Sequence, residues 1–398
     1  MLVIVEGTIL RGAVLHAEWQ PRKGYVPTQF ETQTRKVTSG SRVWKNPKLV
    51  LEEVPAPEVG PKDLLIQVKA CGVCGSDVHM YEKDGEGYVL YPGLTRFPSI
   101  LGHELSGVVK KVGREVQGFK EGDMVTTEEI IWCGECTPCR NGIPNHCTNL
   151  EEIGFTINGG FAELLKVGAK YCWKIDSMLD AYGSEDKVYE AGSVVEPTSV
   201  AYHAMFTRSE GFKPGAFVVV YGAGPIGLAA ISLAKAAGAG KVIAFETAEG
   251  RLDLASKIGA DHVFNPAELE KRGVRAHQKV MELTGGLGAD MQIEAAGAPA
   301  RTLPEMEKSL AIGGKITWIG RADVQAPIFL ENFQVRAGQL VGSQGHSGHG
   351  NFMNVIRLMA AGKIDMTKMI TRRFKLDEAL SAMEHATKRV DAKVTLKP

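Results

Sequence analysis

The stretch FVVVYGAGPIGLAA, residues 217–230, decides the fold of its half of the chain. An apolar strand is predicted over 217–221 and a helix over 226–237, with a glycine-rich turn between them. Glycines in a G-x-G-x-x-G pattern permit a tight turn and let a pyrophosphate approach the helix N-terminus closely. The pattern therefore predicts a dinucleotide site at the turn residues Gly222, Gly224, Pro225, Ile226 and Gly227.

The next predicted strand, 241–245, ends at Glu246, where a carboxylate is expected to hold the two ribose hydroxyls. A carboxylate repels a 2′-phosphate, and Thr247 and Ala248 offer no positive charge, so NAD is favoured over NADP. Arg251 lies close enough in the sequence to keep NADP open as an alternative. Strand patterns recur at 261–264, 291–294 and 315–319 between helical stretches, which indicates an α/β domain with a doubly wound parallel sheet.

A second motif, WCGECTPCRNGIPNHC at residues 132–147, predicts a structural zinc site. Four thiolates within so short a stretch can complete a tetrahedral zinc shell with no open position. The predicted ligands are Cys133, Cys136, Cys139 and Cys147. A four-iron cluster is the competing metal, and His146 is an alternative ligand to one of the thiolates.

A third region carries residue types typical of catalytic zinc, in CGVCGSDVHM at 71–80 and LGHELSG at 101–107. Cys74, His103 and Glu104 offer thiolate, imidazole and carboxylate ligands, and Asp77 can accept the second N–H of the imidazole. Ser76 and His79 are candidates for moving the alcohol proton outward. The competing interpretation is a buried strand cysteine at position 71, a surface histidine and a tight turn at 102–104.

Three further segments have less certain roles. Glu196, before Pro197, reads by itself as an acid that caps a helix. The glycine-rich stretch GSQGHSGHG, 342–350, is either a solvated turn or a loop that brings His346 and His349 to the substrate. The loop 80–102 is expected to cover its domain rather than line a cleft, and the insertion at 20–43 has no evident role.

Composition narrows the class of protein. Among 398 residues, 46 basic side chains balance 46 acidic ones, so the basic surface of a nucleic-acid binder is not expected and a small-molecule partner is favoured. The seven cysteines cluster in a way that favours metal over disulfides. The uncharged run 217–234 is broken by turn glycines, so we expect no membrane span. The N-terminus is a poor signal peptide, and we expect a cytoplasmic protein.

Taken together, these motifs resemble the zinc-dependent medium-chain alcohol dehydrogenase family over nearly the whole chain. The markers, in chain order, are CGSDVH, GHELSG, the four-cysteine lobe, GGFAE, EPTSVAYHA, GAGPIG and EAAG. The resemblance implies NAD and two zinc ions per chain, one catalytic and one structural. It also implies a mainly β, GroES-like catalytic domain at 1–205 with the zinc lobe at 132–148, a Rossmann domain at 206–344, and a C-terminal segment at 345–398 that returns to the catalytic domain.

The resemblance also assigns residue roles. It selects Cys74 over Cys71 as a catalytic zinc ligand, carries over His103 and Glu104 as ligand positions, and places Asp77 behind the ligands. Glu196 stands where ethanol-type members have a second cysteine, which is the polyol-dehydrogenase variant, and Glu104 and Glu196 are expected to exchange at the metal. A relay of Ser76, the cofactor ribose and His79 is implied, as is a homo-oligomer, dimer or tetramer.

Within the family, the loops GEGYVLYPGLTRFPSILGHE and GSQGHSGHG are most similar to dehydrogenases of bacterial inositol breakdown. This implies oxidation of a secondary alcohol on a polyol or cyclitol to a ketone. Sorbitol-type, butanediol-type and threonine-type activities share the same core motifs and stay open. Two alternatives of other classes are a non-catalytic zinc or nucleotide binder and a zinc-independent reductase or dehydratase.

Overall fold

The computed structural model describes residues 9–322 and 324–398. The chain divides into two compact units, each described by itself: one of Met1–Glu196, Ile370–Arg389 and Lys393–Pro398, the other of Pro197–Met369 and Val390–Ala392. The domain boundaries drawn from the sequence, at 205/206 and 344/345, stay a prediction.

The strands, in chain order, are β1 Ile9–Trp19, β2 Trp44–Pro55, β3 Asp63–Val73, β4 Ser99–Ile100, β5 Glu104–Val112, β6 Met124–Thr127, β7 Ile130–Ile131, β8 Glu151–Glu152, β9 Leu164–Gly168, β10 Cys172–Lys174, β11 Phe217–Tyr221, β12 Lys241–Phe245, β13 His262–Phe264, β14 Ala289–Glu294, β15 Leu310–Trp318, β16 Gln339–Gly342, β17 Ile370–Lys375 and β18 Lys393–Lys397.

The α-helices are α1 Gln29–Thr34, α2 Gly75–Tyr81, α3 Thr137–Arg140, α4 Leu179–Tyr182, α5 Glu185–Ser193, α6 Val195–Tyr202, α7 Pro225–Ala236, α8 Glu249–Ile258, α9 Pro266–Lys271, α10 Ala276–Leu283, α11 Pro299–Lys308, α12 Leu330–Gln334, α13 Asn351–Ala360 and α14 Ala379–Thr387. A π-helical segment, His203–Arg208, follows α6.

The first unit is mainly β. Its larger sheet runs β10-β6-β5-β3-β18-β17, with β9 also paired to β3. Antiparallel pairing of β3 with β5 sets Gly72 opposite Glu104, and pairing of β18 with β3 sets Val394 opposite Val73. Because register fixes which side chains are neighbours, these pairings bring the end of β3, the start of β5 and the start of β18 together. A smaller sheet runs β2-β1-β4, and β7 pairs with β8.

The second unit is a six-stranded sheet in the order β13-β12-β11-β14-β15-β16, parallel throughout. Counted from β11, this is the 3-2-1-4-5-6 order of a doubly wound nucleotide-binding fold. The strands β11, β12 and β14 are largely buried, as parallel strands covered by helices must be. The fold class expected from the sequence is confirmed.

Individual elements agree closely with the expectations. Strand β11 has the predicted bounds, and α7 begins at Pro225, one residue earlier than predicted, because proline suits the first helical position. In the part of the chain that the structure describes, no helix is both long enough and apolar enough to span a bilayer.

Candidate active site

The four cysteines predicted to bind structural zinc meet in one cluster. Their sulfur atoms all lie within 4.8 Å of one another, with 3.5 Å between those of Cys147 and Cys133 and 3.7 Å between those of Cys136 and Cys147. Four sulfurs at about 2.3 Å from zinc are separated by about 3.8 Å in a tetrahedron. The cluster therefore fits zinc.

Backbone amides point at these sulfurs. Glu135 and Cys136 donate N–H bonds of 3.4 Å to Cys133, and Asn149 donates one of 3.3 Å to Cys147. Amide bonds from Cys139 and Thr148 lower the pKa of Cys136 to about 6. Amide donors thus favour the thiolate, which is the form that binds a metal, at Cys133 and Cys136. Burial instead raises the pKa of Cys139 to about 12 and also raises that of Cys147, so a cation would have to displace their protons.

The second predicted metal group is also brought together. Ligand atoms of Cys74, His103 and Glu104 lie within 4.8 Å of one another. Cys71 is fully buried, and burial raises the pKa of its thiol well above the usual value, so it stays protonated. Cys74 is only partly buried, which agrees with the choice of Cys74 over Cys71.

Asp77 connects two of these residues from behind. Its Oδ2 accepts an N–H bond of 2.8 Å from Cys74, and its Oδ1 lies 3.6 Å from Nδ1 of His103. That Nδ1 is buried and has no hydrogen-bond partner in the described part of the chain. A small turn of the ring toward Asp77 would supply the partner and leave Nε2 for a metal, so the donor set fits zinc.

The charge around His103 has a consequence for metal binding. Burial alone would lower the pKa of His103, but the Asp77 carboxylate and the Cys74 sulfur outweigh it and raise that pKa well above its usual value. Because a metal needs the neutral imidazole nitrogen, a proton competes with the cation for this ring.

Glu104 has a partner that the sequence did not reveal. Nζ of Lys393 lies 2.6 Å from Oε1 of Glu104, also contacts Oε2, and donates a 3.1 Å bond to the carbonyl of Val73. Each side chain is 1% exposed. A Cβ on Gly72 would lie 2.1 Å from Oε2 of Glu104, so glycine is needed to make room for this carboxylate.

The predicted proton-relay residues lie on α2, one helical turn apart. Oγ of Ser76 lies 3.5 Å from Nε2 of His103, which places the hydroxyl beside the group of Cys74, His103 and Glu104. The carbonyl of His79 accepts N–H bonds from Leu90 at 2.9 Å and Tyr91 at 3.0 Å. His79 is partly buried, not a fully exposed surface histidine.

Glu196 is buried in the first turn of α6, as a capping acid would be, yet its surroundings are also metal-like. A carboxylate oxygen lies within 4.8 Å of one on Glu129, and its charge contributes to raising the pKa of Lys393. Glu196 is not one of the three residues in the Cys74 group that the described chain forms. Which of Glu104 and Glu196 binds zinc stays a prediction.

In the second unit, the glycine turn has the shape expected of a pyrophosphate site. Gly222 has a φ of 92°, and a Cβ on Gly227 would lie 1.8 Å from the carbonyl oxygen of Gly222. A Cβ on Gly224 would meet nothing nearer than Nη1 of Arg251, at 4.0 Å. The first and third glycines are thus required by packing, whereas the second leaves open space for a ligand.

Glu246 closes the same turn. Its Oε2 accepts a 2.8 Å bond from the Ala223 amide, and its Oε1 accepts bonds from the amides of Thr247 at 2.6 Å and Ala248 at 3.0 Å. Arg251 donates to the carbonyl of Asp391 at 2.7 and 3.1 Å. The predicted ribose-binding acid and the predicted phosphate turn are therefore adjacent.

The loop 343–350 is not a solvated turn throughout. His346 is fully buried, its ring lies edge-on to that of Phe352 with centroids 5.0 Å apart, and Asn351 donates a 2.9 Å bond to its carbonyl. His349 has a φ of 54° and its ring lies 6.4 Å from that of His203. A contact of either histidine with substrate stays a prediction.

Three residues near the site were missed by sequence reasoning: Lys393, Glu129 and Phe155. Phe155 packs on the imidazole of His103 with ring centroids 4.7 Å apart. Lys393 is the first residue of β18 and stands between Ala392 and Val394. A lysine between these two apolar residues is the one sequence signal that could have indicated a buried charge. Neither Glu129 nor Phe155 belongs to a motif whose spacing identifies a function.

Comparison with known proteins agrees with this geometry. Residues 60–177 match the model of the alcohol dehydrogenase GroES-like domain, and residues 225–361 match the zinc-binding dehydrogenase model. The chain is 47% identical, over 93% of its length and 94% of the relative's, to scyllo-inosose 3-dehydrogenase of Thermotoga maritima. It is 35% identical to L-threonine 3-dehydrogenase of Bacillus subtilis, over 83% of this chain and 89% of that one.

A solved Thermotoga maritima structure, described as a candidate alcohol dehydrogenase, superposes with a TM-score of 0.94 at 45% identity, covering 98% of this chain and all of the other. The (2R,3R)-butanediol dehydrogenase of Bacillus subtilis has a TM-score of 0.77 at 26% identity, covering 98% of this chain and 99% of the other. These matches show that the chain belongs to the zinc-dependent medium-chain dehydrogenases, oxidoreductases that act on CH–OH groups.

Proposed function

We propose that this protein oxidises a secondary alcohol of a cyclic polyol to the ketone and transfers the hydride to NAD, as a scyllo-inosose 3-dehydrogenase. The observation that carries the substrate class is the 47% identity over 93% of the chain to the Thermotoga enzyme of that name. The threonine and polyol dehydrogenases among the relatives are 32–35% identical over shorter spans.

In this proposal Cys74 and His103 hold the catalytic zinc with Glu104 or Glu196, and the lobe 132–148 holds the structural ion. When bound, zinc supplies Lewis-acid chemistry at the alcohol oxygen and the nicotinamide accepts the hydride. Asp77 fixes the ring of His103 so that Nε2 faces the site. Ser76, 3.5 Å from that nitrogen, would form a relay with the cofactor ribose and His79 that carries the hydroxyl proton outward.

We assign cofactor binding to the glycine turn and to Glu246, with NAD preferred because the carboxylate repels a 2′-phosphate. Thr247 and Ala248 carry no positive charge that would attract a 2′-phosphate. Arg251 is the residue that would favour NADP, but its guanidinium donates to the carbonyl of Asp391. One solved relative, a zinc-binding dehydrogenase of Sinorhizobium meliloti with 27% identity, is bound to NADP. Direct comparison of the two nucleotides decides the preference.

The proposal also covers the assembly of the protein, its location and its domain boundaries. We propose a homo-oligomer in the cytoplasm, with the catalytic domain at 1–205, the Rossmann domain at 206–344 and the returning segment at 345–398. Exposed apolar side chains support self-association: Phe329, Leu330, Val335 and Leu340 are 57, 74, 65 and 42% exposed.

The test is NADH formation with a panel of inososes, inositols, sorbitol, butanediol and threonine, with and without a zinc chelator. Chelator-sensitive activity that is greatest on the cyclic substrates is the expected result. A preference for threonine or an open-chain polyol would overturn the substrate but keep the zinc chemistry. Absence of activity on every alcohol would favour a non-catalytic zinc or nucleotide binder.

Substitutions of the proposed zinc ligands test whether zinc binding and nucleotide binding are independent. Cys74→Ala and His103→Ala are expected to abolish turnover, to reduce bound zinc from two ions to one per chain, and to leave NADH binding nearly unchanged, because the glycine turn belongs to the other unit. NADH fluorescence and zinc analysis provide the readouts. Loss of nucleotide binding together with turnover would contradict this division of labour.

A further inference from the structure

The segment 20–43, for which the sequence indicated no role, is a structured part of the first unit. It lies outside the matched GroES-like residues, which begin at 60. Glu31 organises it: this buried carboxylate accepts hydrogen bonds from the Tyr25 hydroxyl at 2.8 Å, the Thr28 amide at 2.8 Å and the Thr38 amide at 3.0 Å. The segment therefore has an internal framework of its own.

One edge of the segment pairs with the loop 82–98 through backbone hydrogen bonds. Val37 and Thr95 exchange bonds of 2.9 and 3.0 Å, the amide of Gly40 donates to Gly93 at 2.9 Å, and that of Ser41 donates to the Tyr91 carbonyl at 2.8 Å. A Cβ on Gly40 would lie 2.6 Å from Oγ1 of Thr95, so the two stretches are in close contact.

Arg22 fastens the segment to the tip of that loop. Its guanidinium bonds to Asp84, lies 2.9 Å from the carboxylate of Glu86 and sits 4.0 Å from the ring centroid of Tyr88. Nε donates 2.8 Å to the Ser41 carbonyl, back within the segment. Asp84 in turn accepts the amides of Glu86 and Tyr88 at 2.9 and 3.0 Å, so Arg22 holds a turn that is already ordered.

The far side of the loop touches the candidate catalytic residues. The amides of Leu90 and Tyr91 donate to the carbonyl of His79, and the amide of Arg96 donates 2.9 Å to the carbonyl of Phe155. Phe155 lies between the ring of Tyr91, at 5.3 Å, and the ring of His103, at 4.7 Å. One short path of contacts thus joins the segment to both histidines.

We propose that segment 20–43 is a positioning element for the alcohol site, with Arg22 as its main positioning residue. It holds the loop 82–98 against α2 and Phe155, and thereby fixes His79 and the ring of His103. This inference rests on the proposed roles of those histidines. Because misplacement of catalytic groups by about 1 Å costs about 100-fold in rate, a support distant from the chemistry controls turnover of the alcohol.

The test compares Arg22→Ala and Arg22→Lys with a surface control, Arg114→Ala, whose side chain is 82% exposed. Steady-state kinetics use whichever alcohol the wild type oxidises best. Arg22→Ala is expected to lower kcat/KM for the alcohol by about 10- to 100-fold, with the KM for NAD and the zinc content unchanged. Arg22→Lys keeps the charge without the fork of donors and should recover part of the loss.

A second pair of variants distinguishes the proposed positioning role from poor folding of the Arg22→Ala protein. Gly40→Ala inserts a methyl group against Thr95 and should reproduce the alcohol-specific loss, whereas Gly40→Ala with Thr95→Ala relieves the closest contact and should restore activity in part. Unchanged alcohol kinetics in Arg22→Ala and Gly40→Ala would overturn the proposal, as would parallel losses of zinc, NAD affinity and thermal stability. If the wild type oxidises no alcohol at all, it is the proposed function that fails.

Discussion

Lys393 and Glu104 form an ion pair that is almost wholly removed from water. Burial alone would lower the pKa of Lys393, but the charges of Glu104 and Cys74 raise it, so the lysine stays protonated. Removing one partner leaves an uncompensated buried charge, which costs about 3–5 kcal/mol. We therefore expect Lys393→Met to lower the free energy of unfolding of the first unit by about that amount, measured in urea by circular dichroism.

The double variant Lys393→Met with Glu104→Gln is the internal control for this pair. It removes both charges, and the lost stability should largely return, although activity would not if Glu104 serves the metal. A loss below about 1 kcal/mol in the single variant would show that water reaches Glu104 and that the pair is an ordinary surface one.

Glu246 governs the choice of nucleotide at the same scale. Replacing it with serine removes the charge that repels a 2′-phosphate and the acceptor for the Ala223 amide. We expect the KM for NAD to rise about 10-fold and the NADP:NAD ratio of kcat/KM to rise by more, with kcat little changed. Glu249→Gln, an exposed neutralisation three residues later, is the control and should change neither ratio. Equal losses with both nucleotides would instead indicate a structural role in the turn.

At the level of an element, Thr28 and Glu31 form a capping box at the start of α1, in which each side chain accepts the backbone N–H of the other residue. Because one of these acceptors is a carboxylate, the stability of segment 20–43 depends on pH. Burial alone would raise the pKa of Glu31, but donors from Thr28, Thr38 and Tyr25 lower it to about 2. Since the pKa in the folded state lies below that of the unfolded chain, its stabilisation is complete above about pH 4.5 and disappears as the pH falls toward 2. Allowing for solvent screening, we expect about 2 kcal/mol to be lost across that range.

Urea unfolding at about pH 6 and about pH 3 checks this expectation, because a large part of the stabilisation from Glu31 is already lost at the lower value. Glu31→Gln should be less stable than wild type at the higher pH and should approach it at the lower one. Glu121→Gln, which removes an exposed carboxylate in the same unit, is the control and should leave the pH dependence unchanged. A constant difference between wild type and Glu31→Gln at both values would assign the effect to packing rather than to ionisation.

Elements also show what could be predicted from sequence. The four ligands of the cysteine lobe lie within fifteen residues of one another, and the strand, turn and helix around the glycine motif are contiguous. Because both motifs are local, residue spacing alone identified them. The Lys393–Glu104 pair joins residues 289 positions apart, and Arg373 reaches Glu190 across 183. Such pairs depend on strand order, which residue spacing does not reveal. The support given by segment 20–43 was missed for the same reason, since it depends on pairing with residues 82–98.

At the scale of the whole molecule, the sheet of the second unit ends in an exposed strand. Among the residues that the structure describes, strand β16 pairs with β15 on one side only, its residues are mostly exposed, and Leu340 lies within it. An edge strand with apolar side chains is a template for a second copy, because its free backbone groups and side chains gain partners together. Phe329, Leu330 and Val335 extend the apolar surface next to it in the sequence.

We therefore expect light scattering to give a mass of at least twice the 43.0 kDa chain for the wild type. Leu340→Arg introduces a charge that cannot be buried at low cost between two copies, so the mass should fall toward that of one chain. Val26→Arg, a change at a side chain that is 85% exposed in the other unit, is the matched control and should leave the mass unchanged. A Leu340→Arg protein that keeps the full mass would place the interface elsewhere, because an arginine enclosed between two apolar edges has no route to water.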